Sequence, residues 1–300
     1  MDFFNITHLH TSISKMLLEN LLRILQYPLV SILAKTLCLL LGMVSIHFIV
    51  IGGMIGVTLD KKSIENNIDV NNHYIYTSHP HAFLPFIGGW NLMTDMNGIS
   101  KYIDTKNLYL GTVGMCYLVP IYRDLLLWGG CVDCRRSVLT QSLRDQHSIL
   151  LYTGGALEAL LVQNNRNDIY IPEKLGFIKL AIETGTSLIP TYTYNENNMW
   201  CVRERPSKLL HTLCHFTFYN LGFSLPPLQF PFIKRPSLPI CTVVGRPIPV
   251  EKKETYTEEY LQSIYTQYVN ELNRLYEQYK DIYAPNQSPL EVKKIHDITL

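Results

Sequence analysis

Two histidines that flank a single proline are the side chains of this sequence best suited to chemistry. Residues 77–83 read TSHPHAF, so His79 and His81 follow a β-rich run, and Pro80 restricts the backbone between them. Imidazole titrates near neutral pH, which makes each histidine a candidate acid or base. The motif alone leaves three interpretations open: acid–base catalysis, metal binding, or a histidine that only packs in a turn or the core. Metal is the least favoured, because no H-E-x-x-H or similar spacing adds ligands.

A glycine pair and a glutamate form a second candidate cluster. Gly154 and Gly155 end the run SILLYTGG, and Glu158 follows three residues after Gly155. Glycine permits tight turns and close approach of the backbone, so the two amides could donate to an anionic centre. Glu158 would then lie in the first turn of a helix and face the same site. The alternative is a glutamate that only stabilises the helix dipole.

A third polar cluster, Asn195-Glu196-Asn197, follows the β-rich run SLIPTYTY. These side chains either orient a substrate or cap a turn, and the turn is the favoured interpretation. Nucleophilic catalysis is not indicated, because the sequence has no G-x-S-x-G elbow and does not place Ser78 near an activating base. The phosphate-binding loops G-x-x-x-x-G-K and G-x-G-x-x-G are also absent from the sequence.

Each of the three clusters follows a predicted strand, and helices are predicted between the strands. Strands are expected at residues 73–78, 148–155, 187–194 and 240–248, and helices at 138–145 and 175–184, the second ended by Gly185. A long helix is predicted to begin with the capping box Thr255-x-x-Glu258. Its stripe of tyrosines at helical spacing is most simply a packing face. This alternation predicts an α/β sandwich around a central sheet.

The N-terminal part of the chain has the composition of a membrane segment. Residues 36–59 contain no Asp, Glu, Lys or Arg. As a helix they would be about 36 Å long, enough to cross a hydrocarbon core of about 30 Å. A buried core helix is the alternative, and residues 17–59 could also form a re-entrant hairpin bent at Pro28 or near Gly42. We expect insertion in the bilayer as a helix or a helical hairpin.

Composition bounds the remaining possibilities. The chain of 300 residues is 47% hydrophobic and 17% charged, against about 25% charged in typical soluble proteins. A net charge of +1 gives no reason to expect a nucleic-acid partner. Seven scattered cysteines do not suggest a disulfide framework, and the pair Cys131 and Cys134 is read as two reduced thiols. We predict an anchoring region at 1–62, a catalytic domain at 63–285 and a polar tail at 286–300.

Five sequence blocks, in order, resemble the diacylglycerol acyltransferase type 2 family, which includes mono- and diacylglycerol acyltransferases and wax synthases. The resemblance runs from about residue 73 to 283. The blocks are TSHPHA for the family's HPHG signature, VPIYRDLLLWGG with Pro120 and Arg123, TGGALEAL for G-G-x-x-E, KLGFIKLAIETGTSLIPTYTYNEN for the R-x-G-F segment and the strand after it, and TVVGRPIPV before the last helix. Each block is only modestly specific, but five in the same order are strong evidence.

The resemblance implies an acyltransferase-like fold and transfer of an acyl group from acyl-CoA to a lipid hydroxyl. The favoured acceptor is diacylglycerol, which would give triacylglycerol. It implies a histidine general base, no metal, no cofactor beyond acyl-CoA as co-substrate, and no covalent acyl-enzyme. We predict His81 as the base and His79 as the second candidate. Glu158 is predicted as the orienting partner of the base: its carboxylate accepts from one ring nitrogen and holds the other nitrogen ready to take a proton.

The resemblance also suggests which residues bind substrate. They are Gly154, Gly155, Arg123, Lys174, Asn195 and Glu196. Arg123 and Lys174 suit the phosphates of CoA, although solvated surface charge is the simpler explanation for a lysine or arginine. Ala82 and Asn195 stand where the family has glycine, and Lys174 stands where it has arginine. If the first of these positions has a positive φ, alanine costs about 1 kcal/mol or more there, whereas asparagine tolerates that region well.

The identity of the acceptor stays open at this stage. Monoacylglycerol, a fatty alcohol or a lysophospholipid are alternatives to diacylglycerol, and a catalytically inactive lipid-binding membrane protein is the alternative from a different class. We expect an integral membrane protein of the endoplasmic reticulum with its catalytic domain facing the cytosol. A homo-oligomer is compatible with the sequence.

Overall fold

The structure is a computed structural model that describes residues 57–64, 68–85, 87–118, 122–203 and 227–295, and the single positions 207, 209, 212 and 214. Its α-helices are α1 Ile87–Met93, α2 Tyr122–Trp128, α3 Arg136–Arg144, α4 Gly155–Ala159, α5 Gly176–Thr184 and α6 Glu258–Tyr283. Its strands are β1 Thr58–Leu59, β2 Ile75–His79, β3 Leu108–Thr112, β4 Cys131–Asp133, β5 Ser148–Leu151, β6 Asn167–Tyr170, β7 Leu188–Tyr194, β8 Trp200–Val202, β9 Leu228–Ile233, β10 Cys241–Val244 and β11 Leu290–Lys293.

Within the described residues, a seven-stranded sheet has the order β1-β10-β7-β2-β5-β3-β4. Strand β2 is parallel to its neighbours β5 and β7, and β3 is parallel to β5 and β4, whereas β10 is antiparallel to β7. The carboxyl ends of five parallel strands therefore lie along one edge, called here the carboxyl edge of the sheet. The central strand β2 ends at this edge with His79. The predicted α/β architecture around a central sheet is confirmed.

The main hydrophobic core lies between the sheet and helices α3, α5 and α6. Ile75, Tyr192 and Val243 of the sheet belong to one buried cluster with Ile178 of α5 and Tyr268 of α6, and none of these side chains is more than 1% exposed. Burial of such large apolar side chains contributes about 1.5–3 kcal/mol each. The buried tyrosines of α6 confirm that the tyrosine stripe is a packing face.

The predicted helices at 138–145 and 175–184 are present as α3 and α5, and Gly185 ends α5 in a left-handed conformation with φ 73°. The start of α6 differs from the prediction. Its N-cap is Thr257, whose hydroxyl oxygen accepts from the backbone N–H of Tyr260 at 3.3 Å, so the capping box assigned to Thr255 is wrong. Two threonines compete for this role, and the one directly before the first helical residue makes the hydrogen bond.

Three strands occur where the sequence suggests other structure. Strand β1 pairs in parallel with β10, so the charge-free stretch at 36–59 is not helical to its end, and its part at 36–56 lies outside the described residues. Strand β9 lies in the segment 226–239, whose five prolines favour an irregular path, and β11 pairs with β6 in the part assigned to a polar tail. None of the helices in the described ranges is long and apolar enough to cross a membrane.

Candidate active site

His79 is the last residue of β2 and is completely buried. Its Nδ1 lies 2.8 and 3.1 Å from the two carboxylate oxygens of Glu158, so Nδ1–H donates to that group. Its Nε2 therefore accepts, and the hydroxyls of Thr153 at 3.0 Å and Tyr268 at 3.1 Å are within hydrogen-bond distance. Both ring nitrogens of this histidine are thus occupied by protein groups, as a fully buried polar ring requires.

The glycine pair explains how Glu158 reaches the histidine. Gly155 has φ 55°, a conformation that glycine adopts without steric cost, and it starts the short helix α4 directly after the β5 turn. A Cβ on Gly154 would lie 1.8 Å from the Oε2 of Glu158. The carboxylate therefore folds back across Gly154, and any side chain there would collide with it. The Gly155 N–H donates to the Tyr152 carbonyl at 3.1 Å and so does not point to a bound anion.

His81 has a different environment, although it is only two residues further along the chain. Its ring is partly buried, and Nδ1–H donates to the carbonyl of Ala82 at 3.0 Å. This hydrogen bond fixes the tautomer in which Nε2 carries the lone pair. The ring packs edge-on against Tyr152, with centroids 5.7 Å apart. Burial lowers the pKa of His81, so the neutral form that a general base needs is favoured near pH 7.

The predicted partnership of Glu158 is found with His79, not with His81. The sequence predicts that Glu158 accepts from one ring nitrogen of the base and that His81 is the favoured base, so the implied pairing of Glu158 with His81 is wrong. The contacts place the carboxylate on the buried ring, while the Ala82 carbonyl orients the other. Which ring acts as base stays a prediction that these contacts do not test.

Ala82 occupies a left-handed backbone conformation with φ 49° and is fully buried. Glycine is favoured at such a position, so the departure from the HPHG signature carries a real conformational cost. Asn195 has φ 65°, in the region that asparagine tolerates. Both positions at which this chain replaces a glycine of the family signature therefore have a positive φ.

Asn195 ties the carboxyl end of β7 to distant parts of the chain. Its amide Nδ2 donates to the carbonyls of Pro239 and Tyr283, both at 2.8 Å. Its Oδ1 accepts from the side chains of Gln287 at 2.6 Å and Asn198 at 3.2 Å. The side chain is thus used in hydrogen bonds within the protein, and three of these four join it to segments far away in the chain. Its predicted role in substrate binding is not tested.

Glu196 is a second buried carboxylate, next to residues 79–85, which are called here the histidine loop. Its Oε1 accepts from the backbone N–H of Ile87 at 3.1 Å, at the first residue of α1. The hydroxyl of Tyr152 accepts from the N–H of Gly89 at 2.6 Å in the same helix. Burial, helped by the charge of Glu196, raises the pKa of Tyr152 well above its usual range. Glu196 and Tyr152 thus hold the first turn of α1 next to the carboxyl edge of the sheet.

The two predicted cationic anchors make no hydrogen bond or ion pair with the histidines. Arg123 in α2 is about half exposed and pairs with Asp124 at 3.1 Å. Helix α2 leads into β4, the edge strand, which is separated from β2 by β5 and β3. Lys174 is exposed in the loop before α5. Neither cation contacts the His79–Glu158 pair.

Thr153, Tyr152 and Tyr268 were missed by sequence reasoning. Thr153 and Tyr152 directly precede the glycine pair, so their proximity to it could have been inferred. Tyr268 lies 189 positions from His79 in the chain, and only the packing of α6 on the sheet brings it there. The sequence assigns it to the packing stripe, which is correct but incomplete. No group of three or more His, Cys, Asp or Glu side chains in the described residues is arranged to hold a metal ion.

The sequence that forms this sheet and site is similar to known proteins. Residues 54–293 match the family described as diacylglycerol acyltransferase. The chain belongs to this family, and it is an acyl-CoA-dependent acyltransferase.

Two named relatives agree with this assignment. The chain is 31% identical over 255 residues to diacylglycerol O-acyltransferase 2B of Umbelopsis ramanniana, covering 77% of this chain and 69% of that protein. It is 30% identical to human 2-acylglycerol O-acyltransferase 3, covering 70% and 65%. A solved structure, the 1-acyl-sn-glycerophosphate acyltransferase PlsC of Thermotoga maritima, superposes with a TM-score of 0.44 at 12% identity, covering 75% of this chain and 73% of that chain.

Proposed function

We propose that this chain transfers a fatty acyl group from acyl-CoA to the hydroxyl of a neutral lipid, with diacylglycerol as the first candidate acceptor and triacylglycerol as the product. The family assignment and the relatives named diacylglycerol O-acyltransferase support this acceptor. A relative named 2-acylglycerol O-acyltransferase makes monoacylglycerol the second candidate. Both acceptors present a hydroxyl on a glycerol backbone, so one mechanism serves either.

The observation that carries the mechanism is the orientation of His81. Its Nδ1–H is held by the Ala82 carbonyl, which leaves Nε2 as the acceptor on a partly exposed ring. In the proposed reaction, the acceptor hydroxyl gives its proton to Nε2 while its oxygen attacks the thioester carbonyl carbon. The tetrahedral intermediate then expels the CoA sulfur, which takes the proton back from His81. The ester bond forms, the thioester bond breaks, and the histidine returns to its starting state.

His79 and Glu158 are proposed to hold His81 in place. Their pair is completely buried, and the imidazole is bonded on both sides. A base must reach the proton that it removes, and His79 could do so only if Thr153 or Tyr268 moved away. The pair instead anchors the end of β2, and Pro80 then fixes where His81 can lie.

Membrane association is part of the proposal. The charge-free sequence at 36–59 and a lipid acceptor both favour a protein held at the bilayer, and we propose the endoplasmic reticulum as its location with the catalytic domain in the cytosol. Arg123 and Lys174 are proposed as contacts for the phosphates of CoA, on the ground of their charge and exposure. The backbone at Gly154 and Gly155 and the polar groups of Asn195 and Glu196 are proposed to shape the acceptor side of the site.

The test is expression of the full chain in membranes that lack neutral-lipid synthesis. Labelled acyl-CoA is supplied with diacylglycerol, monoacylglycerol, fatty alcohol or lysophosphatidate, and membranes without the chain serve as control. We expect labelled triacylglycerol to be the main product. Product from lysophosphatidate alone would reject the neutral-lipid acceptor. No product from any acceptor would indicate the inactive lipid-binding alternative instead.

A further inference from the structure

Strand β9 exposes two phenyl rings on the outside of the protein. Phe230 is 87% exposed and Phe232 is 56% exposed, and their ring centroids are 6.2 Å apart. Side chains two positions apart in a strand point to the same face, so the two rings form one surface. Lys234 and Arg235 follow after Ile233 and are exposed, and the Lys234 ammonium donates to the Oδ1 of Asn164 at 2.9 Å. The two phenyl rings and these two cations are called the aromatic tip.

The aromatic tip lies next to the histidine loop. Strand β9 pairs with β8, and Ile233 is opposite Trp200. The indole of Trp200 packs edge-on against Phe83, with centroids 5.0 Å apart, and Phe83 is two residues after His81. One small hydrophobic cluster contains Trp200 and Ala82, with Ile233 and Phe83 packed against it. The aromatic tip is therefore joined through Trp200 to the residues that directly follow His81.

The charge-free N-terminal sequence enters the fold at the same place. Val57, the first described residue, packs against the same small cluster as Ile233. Thr58 is in register with Cys241 of β10, and Cys241 is in register with Tyr194, the last residue of β7. Strand β1 thus begins at the carboxyl edge. Fifty-six residues precede Val57, and those from 36 onward carry no Asp, Glu, Lys or Arg.

A second exposed apolar patch lies along the same edge. Val113, Met115 and Leu118 are 54%, 43% and 55% exposed. Leu150 of β5 is in register with both Tyr76 of β2 and Leu110 of β3. Three residues further along these parallel strands, Val113 is level with His79. Exposed apolar groups thus occur at the carboxyl edge on both sides of the histidines.

We infer that the aromatic tip, with residues 113–118 as a second contact, inserts into the surface of a lipid bilayer and holds the carboxyl edge of the sheet against it. Phenyl rings next to lysine and arginine suit an interface in which the rings enter the acyl region and the cations contact anionic headgroups. The chain's own charge-free segment at 36–59 offers no acidic partner for Lys234 and Arg235. The inference depends on the membrane association in the proposed function but not on its acceptor.

The test places a tryptophan at the tip of the full-length chain in vesicles. Phe232→Trp is compared with Val70→Trp, because Val70 is 40% exposed but lies ahead of β2, at the opposite edge of the sheet. Both variants keep the three native tryptophans, whose signal is subtracted with the unmodified chain. Vesicles contain anionic lipid with or without bromine on the acyl chains, which quenches only tryptophans in contact with them.

We expect brominated lipid to quench the fluorescence added by F232W and to leave that added by V70W unchanged. Equal quenching of the two, or quenching of neither, would overturn the inference. A blue-shifted F232W emission without quenching would show that protein covers the tip, which also overturns it. This readout requires no acyl transfer, so it stands even if the proposed acceptor is wrong.

A second measurement connects the tip to catalysis. Phe230→Ser with Phe232→Ser should raise the KM for an acceptor embedded in vesicles and leave the KM for acyl-CoA unchanged. In detergent micelles the difference from the unmodified chain should disappear. An unchanged KM for the vesicle-embedded acceptor would contradict a tip that presents the site to lipid.

Discussion

His79 and His81 are separated by one proline, yet they occupy opposite environments. His79 is completely buried, and both of its ring nitrogens contact Glu158, Thr153 or Tyr268. His81 is partly exposed and has its Nδ1–H on the adjacent Ala82 carbonyl. The same side chain therefore serves two purposes. One imidazole is a fixed part of the framework, and the other is oriented but still accessible to a substrate.

This difference shows why a carboxylate next to a histidine does not by itself identify the base. Glu158 would strengthen a base by accepting from its other ring nitrogen, as in a catalytic triad. Here Glu158 accepts from His79, whose ring is completely buried and has Thr153 and Tyr268 at its other nitrogen. The carboxylate partner belongs to one ring and access to substrate belongs to the other, and variants of each ring's surroundings test this division.

Removing the carboxylate of Glu158 has the largest expected effect on folding. Glu158→Ala leaves the buried Nδ1–H of His79 without its acceptor, which costs about 1–3 kcal/mol, and the cavity left by the missing side chain adds to this cost. Urea unfolding of the purified chain measures this loss. Glu158→Gln, which keeps the volume and one acceptor oxygen, should lose less. Equal stability of E158A and the unmodified chain would mean that the pair does not anchor β2.

A methyl group at Gly154 should separate the same pair by a different route. The Cβ of Gly154→Ala would collide with the Glu158 carboxylate, and overpacking of this kind costs about 1–3 kcal/mol. Gly176→Ala is the matched control, since a Cβ there has nothing within 4 Å. We expect G154A to lower the free energy of unfolding and G176A to leave it nearly unchanged. Equal effects of the two variants would contradict the close approach seen here.

The sequence predicts the sheet, its main helices and the grouping of the histidines with Glu158, because each cluster follows a strand and parallel strands end at one edge. It pairs Glu158 with the favoured base His81, whereas the carboxylate contacts His79 instead. That choice depends on the left-handed turn at Gly155 and on the folding of the carboxylate across Gly154. Contacts between distant parts of the chain, such as that of Tyr268 with His79, have no local sequence pattern from which they could be predicted.

The pH dependence of acyl transfer should reflect the environment of His81. Burial lowers the pKa of this ring, so the neutral base persists below the ordinary value of about 6.5. We expect the acid limb of kcat/KM to have its midpoint below that pH. Because the unfolded chain takes up a proton at this ring at higher pH than the folded chain, acidification below about pH 6.5 should also reduce stability. An acid limb above pH 7 would exclude His81, as seen here, as the group that titrates.

The smallest effect is expected from restoring the family's glycine next to His81. Ala82→Gly relieves a left-handed conformation that costs about 1–2 kcal/mol, but it removes a buried methyl worth about 0.8 kcal/mol and adds chain entropy to the unfolded state. The free energy of unfolding should therefore change by less than about 1 kcal/mol. Since the Ala82 carbonyl is retained, acyl transfer should persist. A large loss of transfer with normal folding would show that the alanine itself shapes the site.

The central claim is that His81, not His79, is the base, and one comparison tests it most directly. Acyl transfer and thermal unfolding are measured on purified His81→Gln, with His73→Gln at the amino end of β2 as the control. We predict that H81Q loses about 10²–10⁴-fold in rate, the usual contribution of a general base, with an unfolding temperature close to that of H73Q. Transfer by H81Q at the rate of the unmodified chain would contradict the account.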